Sequence, residues 1–190
     1  MSLFAARILV GNALFVVCCV FYLAWWLVSF RPGQPVTAQK MLWLLIPAAA
    51  AGLTGVIVII WVMASTPDDK RLFANVWVLV GGIVAYILLM VVTKWLFDRP
   101  VTSELLLFTG WAALAFAIVN ALYGAGLISR PALLVWFVVI TLVLVACLAC
   151  YVLYYRLGDV PKYIDGAVPL VLTALVMVAL SIPLLWRGGA

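Results

Sequence analysis

Six long runs without a charged residue constrain this chain more than any other feature of its sequence. The runs cover residues 8–30, 41–67, 72–93, 105–129, 131–155 and 166–186. Each is longer than the roughly 18 apolar residues that mark a membrane-spanning helix. The whole chain is 69% hydrophobic and 9% charged. Soluble domains are less hydrophobic and carry more charge. We therefore predict an all-α, polytopic integral membrane protein, a bundle of six transmembrane helices with short loops.

These spans account for nearly the whole chain, so we predict one membrane domain over residues 1–190. The expected span limits are approximately 8–30, 41–64, 73–96, 105–128, 132–155 and 166–186. The first run exceeds the apolar core of a secretory signal, which is about 7 to 15 residues long, and we expect it to be retained as a helix. An even number of spans places both termini on the same side of the membrane.

The basic residues indicate which surfaces the chain meets. Eleven Lys and Arg against six Asp and Glu give a net charge of +5, and the basic residues stand mostly singly, near helix ends. That distribution favours contact with anionic lipid headgroups over nucleic acid. Lys and Arg are almost evenly divided between the two sides, so they leave the orientation of the termini open. We expect a cell-membrane protein, of a prokaryotic inner membrane, with lipid as a partner.

Catalytic side chains are scarce inside the spans. The chain has no His, and every carboxylate lies near a predicted helix end, so hydrolytic chemistry lacks a base beside a nucleophile. Cys18, Cys19, Cys147 and Cys150 fall within membrane runs, where thiols usually pack as small hydrophobes. We predict no catalytic residue, metal site or cofactor, and an intramembrane enzyme is the least favoured interpretation.

Neutral polar residues remain as the candidates for function. Asn120 lies near the middle of the fourth run, on a helical stripe of small residues with Gly110, Ala113, Ala117 and Gly124. Amide and hydroxyl groups can replace water around an uncharged molecule, whereas ion traffic needs buried charges or rings of carbonyl groups. We therefore expect a channel, transporter or membrane solute-binding subunit for a small neutral or weakly polar solute. The candidate lining residues are Asn120, Tyr123, Tyr86, Trp111 and Thr54.

Small residues support an alternative function. They allow helices to approach closely, and the candidate packing positions are Gly52, Gly55, Gly81, Ala113, Ala117 and Gly124. A structural or accessory subunit would use such faces to dock a membrane partner protein or to form a homo-oligomer. Near the last predicted span, Arg156 and Asp165 belong to a series of alternating charges, and we place them at the mouth of the bundle.

One short stretch resembles a known family of six-helix membrane proteins. Residues 118–140, with Asn120, Gly124, Arg130-Pro131 and Trp136, resemble the third-to-fourth-helix region of the urea/amide channels. Asp165-Gly166 resembles a shortened form of the Glu-Gly in their last helix. The Asp replaces a Glu, and the Trp cluster that precedes the last helix of that family is missing. No site residue is therefore carried over, and the sequence is assigned to no family.

Overall fold

The computed structural model describes residues 2–33, 42–65, 75–97 and 103–187. Over these residues all regular secondary structure is helical, which confirms the all-α prediction for this part of the chain. The six helices are α1 (Leu3–Ser29), α2 (Leu42–Ser65), α3 (Asn75–Phe97), α4 (Ser103–Gly124), α5 (Arg130–Tyr154) and α6 (Asp159–Arg187). The predicted span limits at residues 41 and 73 lie outside the described residues.

Five of the described helices are long and apolar enough to cross a membrane. They are α1, α2, α4, α5 and α6. In α3 the apolar stretch within the described residues is shorter and runs from Val80 to Trp95. By length and composition, the helices therefore indicate a membrane protein. Backbone groups in lipid must be satisfied inside the segment, and helices achieve this without neighbours.

The end of α4 shows why this helix stops where it does. The Leu127 N–H donates to the Leu122 carbonyl and the Gly126 N–H to the Tyr123 carbonyl, both at 2.9 Å. Gly126 has a φ of 72°, a left-handed conformation that glycine adopts without steric cost. This is a Schellman motif, which satisfies carbonyl groups at a helix end.

Helix α6 begins about two turns before the predicted span at residue 166. Its first residue is Asp159, whose charge suits a helix N-terminus, so Asp165 lies inside the helix instead of opening it. The predicted span begins at residue 166 because Asp165 is the last charged residue before the apolar run. A charged residue ends an apolar run but does not end a helix, so α6 extends beyond this limit. Pro169 and Pro183 both lie within α6.

The described helices fall into two compact units. Unit 1 contains α1, α2, α6 and the last residues of α5, from Ala149 onwards. Unit 2 contains α3, α4 and the preceding part of α5. The prediction of one domain over the whole chain stays a prediction.

In unit 1, glycines bring α1 and α2 together in antiparallel directions. A Cβ atom at Gly11 would lie 2.5 Å from Ile59 Cγ1, and one at Gly52 would lie 2.9 Å from Cys18 Sγ. A Cβ atom at Gly55 would lie 3.0 Å from the Gly11 carbonyl oxygen. Real Cβ atoms need about 3.5 to 4.0 Å. The predicted packing residues Gly52 and Gly55 therefore lie at a helix interface where a side chain has little room.

In unit 2, α4 packs against both α3 and α5. A Cβ atom at Gly82 would lie 3.1 Å from Ala113 Cβ, so this glycine and the predicted packing residue Ala113 mark the approach of α3 to α4. The Phe116 and Phe137 rings meet edge to face, with centroids 5.1 Å apart. Most of α4 from Leu105 to Leu122 is buried or half-buried.

Candidate functional site

Polar side chains join α1 to α6 along the interior of unit 1. The Asn12 Nδ2 donates to Ser181 Oγ at 3.2 Å, and Cys19 Sγ lies 3.8 Å from Thr173 Oγ1. The two pairs are separated by about 10 Å along α1. We call these four residues the α1–α6 polar seam. Their order on the two helices shows that α1 and α6 run antiparallel.

The hydroxyl groups of the seam have fixed directions. Ser181 Oγ lies 2.9 Å from the Met177 carbonyl oxygen, and Thr173 Oγ1 lies 2.8 Å from the Pro169 carbonyl oxygen. A hydroxyl group has one proton to donate, and each of these donates it to its own helix. Ser181 and Thr173 are therefore the acceptors across the seam, and the Cys19 thiol is a donor.

Asn12 is the most demanding residue of the seam. Its side chain is 0% exposed, yet its Oδ1 has no hydrogen-bond partner within the described part of the chain. A buried carbonyl group without a partner costs about 1 to 3 kcal/mol. The seam thus presents one unused acceptor that a molecule carrying an N–H or O–H group would satisfy.

A second polar contact between α1 and α6 lies where α1 ends and α6 begins. The Trp26 Nε1 donates to the Tyr163 carbonyl at 3.0 Å, and the Tyr163 hydroxyl donates to the Leu27 carbonyl at 2.8 Å. A Cβ atom at Gly166 would overlap the edge of the Trp26 ring at Cζ2, so a larger residue would displace the indole from this position. At this end, α1 donates one hydrogen bond to α6 and α6 donates one to α1.

Aromatic rings surround that contact and form what we call the aromatic cluster. Neighbouring ring centroids are 4.4 to 5.8 Å apart, the range in which aromatic pairs attract one another. The members are Tyr22, Trp25, Trp26, Phe30, Tyr151, Tyr154 and Tyr155. The contact between Trp26 and Tyr154 joins the end of α1 to the end of α5.

Charged groups of α6 lie against this cluster. The Lys162 Nζ lies 4.6 Å from the centroid of the Tyr154 ring, a cation–π contact. Asp165 is half-buried and lies close to the Cys150 thiol. Its Oδ2 is buried and has no partner among the described residues. Arg156, the other predicted mouth residue, is exposed in the joint between α5 and α6.

The five candidate lining residues are divided between the two units. Asn120 and Trp111 are 0% and 4% exposed in unit 2, where Tyr86 and Tyr123 are half-buried. The Trp111 Nε1 is buried without a partner in the described part of the chain. Thr54 belongs to unit 1 and is exposed. Four of the five therefore belong to unit 2 and one to unit 1.

The remaining packing candidates differ in their surroundings. Ala117 and Gly124 are half-buried on α4. Gly81 is exposed, and a Cβ atom there would meet nothing within 4 Å among the described residues. Its neighbour Gly82 makes the contact with α4 instead. Gly81 and Gly82 are adjacent in the sequence, and the rotation of α3 about its axis determines which of them faces α4.

Sequence analysis missed the partners of the seam. Asn12, Thr173 and Ser181 are recognisable as polar residues within apolar runs, but Asn12 and Ser181 are 169 positions apart. Asn12 lies near the beginning of the first predicted span and Ser181 near the end of the last. In two antiparallel spans these positions have a similar depth, and this match is a signal for the pairing. Among the described residues, no three His, Cys, Asp or Glu side chains form a group that could hold a metal ion.

No protein-family model, curated protein or solved structure matches this chain. The site is therefore interpreted from its own chemistry.

Proposed function

We propose that the chain is a six-span membrane protein and that α3 is the sixth span. Its 23 residues extend about 34 Å, which is enough to cross a hydrocarbon core of about 30 Å. With six spans, both termini lie on the same side. We place the protein in a cell membrane of the prokaryotic inner-membrane type, because single basic residues at helix ends suit an anionic lipid surface.

We propose that the protein binds or passes a small neutral or weakly polar solute, with the α1–α6 polar seam as its site. The observation that carries this proposal is the buried Asn12 Oδ1 without a partner. Polar groups inside a membrane are costly and mark solute paths by default. The Ser181 and Thr173 oxygens already contact Asn12 Nδ2 and Cys19 Sγ. The polar atom of the seam that a solute would bind is therefore Asn12 Oδ1, a hydrogen-bond acceptor.

The chemistry of the seam favours solutes that donate hydrogen bonds and carry no charge. The seam contains an amide, a thiol and two hydroxyl groups, and none of its four residues is ionised at neutral pH. An ion would have to leave its water shell without a compensating charge. Small amides and polyols meet both conditions.

A flux assay in proteoliposomes tests this proposal. The probes are urea, acetamide and glycerol, and the variant is Asn12→Leu, which removes the free acceptor. We expect flux of at least one probe above that of empty liposomes. In the variant this flux should fall about tenfold or more, because the solute loses its hydrogen bond to Asn12 Oδ1. The control is Thr141→Val on α5, where the hydroxyl is exposed and donates to the Phe137 carbonyl of its own helix.

Flux that is the same in wild type and Asn12→Leu would remove the seam from the mechanism. If the protein neither passes nor binds any of the three probes, the second function, an accessory subunit, would be favoured. The observation behind that alternative is that Gly81 and Gly110 are exposed on α3 and α4, with open space at each Cβ position among the described residues. A complex of defined stoichiometry in detergent would then identify a docking role.

A further inference from the structure

We propose a second site at the aromatic cluster, for the headgroup of an aminophospholipid. In this site Asp165 takes the primary ammonium group and Lys162 takes the phosphate. The site is separate from the α1–α6 polar seam, and it binds a component of the membrane itself. It lies where α1 and α5 end and α6 begins, which is the level at which aromatic side chains meet lipid headgroups.

The first argument is the arrangement of charge. Lys162 and Asp165 are three positions apart on α6, so they are neighbours on one face of the helix. The Lys162 Nζ lies over the Tyr154 ring and Asp165 lies beside Cys150, so both side chains are directed towards α5. One face therefore offers a positive and a negative group close together. A phosphoethanolamine headgroup carries the opposite pair, joined by a two-carbon link.

The second argument is the set of unsatisfied polar atoms at this end of unit 1. Asp165 Oδ2, the Tyr151 hydroxyl, the Ser29 hydroxyl and Trp25 Nε1 are all buried without a partner in the described part of the chain. Tyr151 and Ser29 are only 7% and 4% exposed. Buried polar atoms are rarely left unpaired, and several together call for a ligand.

The third argument selects a primary amine over a choline. The free Asp165 Oδ2 is an acceptor and needs an N–H donor, which a primary ammonium group provides three times and a trimethylammonium group does not provide. The faces of Trp26 and Tyr154 suit either cation. The carboxylate oxygen therefore decides between headgroups that the aromatic rings alone do not distinguish.

Native mass spectrometry of the full chain in detergent tests this site with short-chain phosphatidylethanolamine, phosphatidylcholine and phosphatidylglycerol. We expect phosphatidylethanolamine to bind about tenfold more tightly than phosphatidylcholine, the effect of one charge-assisted hydrogen bond. Asp165→Asn should abolish that preference. Asp159→Asn, an exposed carboxylate in the first turn of the same helix, should retain it.

Two further arms complete the test. Lys162→Gln should weaken all three lipids together and leave the ratio between ethanolamine and choline forms unchanged, and this variant decides the question if Asp165→Asn does not fold. Free phosphoethanolamine should bind far more weakly than the lipid. Equal binding of the two zwitterionic lipids by wild type, a preference that survives in folded Asp165→Asn, unchanged affinities in Lys162→Gln, or free phosphoethanolamine binding as tightly as the lipid would each overturn the proposal. None of these results depends on solute flux.

Discussion

Gly11 shows how far one missing side chain sets the distance between two helices. Its Cα faces Ile59, which is 0% exposed, and a Cβ atom would collide with the Ile59 side chain at 2.5 Å. Overpacking of this kind typically costs about 1 to 3 kcal/mol. We expect Gly11→Ala to lower the free energy of unfolding by that amount, measured by thermal unfolding in detergent.

Two variants control the Gly11 prediction. Gly81→Ala places the same methyl group in open space and should leave stability unchanged or raise it slightly, because alanine favours helix. Ile59→Ala removes the colliding atoms, so Gly11→Ala should cost less in that background. Additive effects of Gly11→Ala and Ile59→Ala in a double-mutant cycle would contradict the proposed contact.

At the scale of elements, the helices follow from sequence but their facing surfaces do not. Asn120 and Trp111 are recognisable as polar or amphipathic residues within an apolar run, and both are buried. Thr54 belongs to the same class and is exposed. A membrane helix that is apolar on all sides has no polar face to set its rotation, so sequence separates these residues from their surroundings without ranking them.

The Schellman motif of α4 gives a prediction at this scale. Gly126 is exposed, a Cβ atom there would meet nothing within 4 Å in the described structure, and its φ is 72°. Gly126→Ala therefore changes backbone conformational energy alone, and a left-handed L-residue costs about 1 to 2 kcal/mol. We expect a loss of stability of that size by thermal unfolding in detergent. Gly110→Ala, in the exposed interior of the same helix, is the matched control and should be neutral or stabilising.

The antiparallel packing of α1 and α6 organises unit 1, and cross-linking can test it. In a chain whose only native thiol is Cys19, Thr173→Cys places two sulfur atoms where Cys19 Sγ and Thr173 Oγ1 lie 3.8 Å apart. We expect a disulfide to form in membranes under mild oxidation, detected as linked peptides by mass spectrometry. Ser181→Cys is the control, because it lies about 12 Å further along α6, beyond the ~7 Å Cα limit for a disulfide. Equal cross-linking at both positions would refute this register.

The sequence by itself determined the all-helical class and the membrane environment. Both follow from the length of the uncharged runs, because a backbone in lipid must satisfy its own hydrogen bonds. Tertiary structure decided which polar residues meet. Asn12 contacts Ser181 and Cys19 contacts Thr173, although each pair is more than 150 positions apart, and Asp165 of α6 lies close to Cys150 of α5. Those pairings depend on the rotation and depth of each helix, which close packing at residues such as Gly11 and Gly166 fixes and which local sequence does not encode.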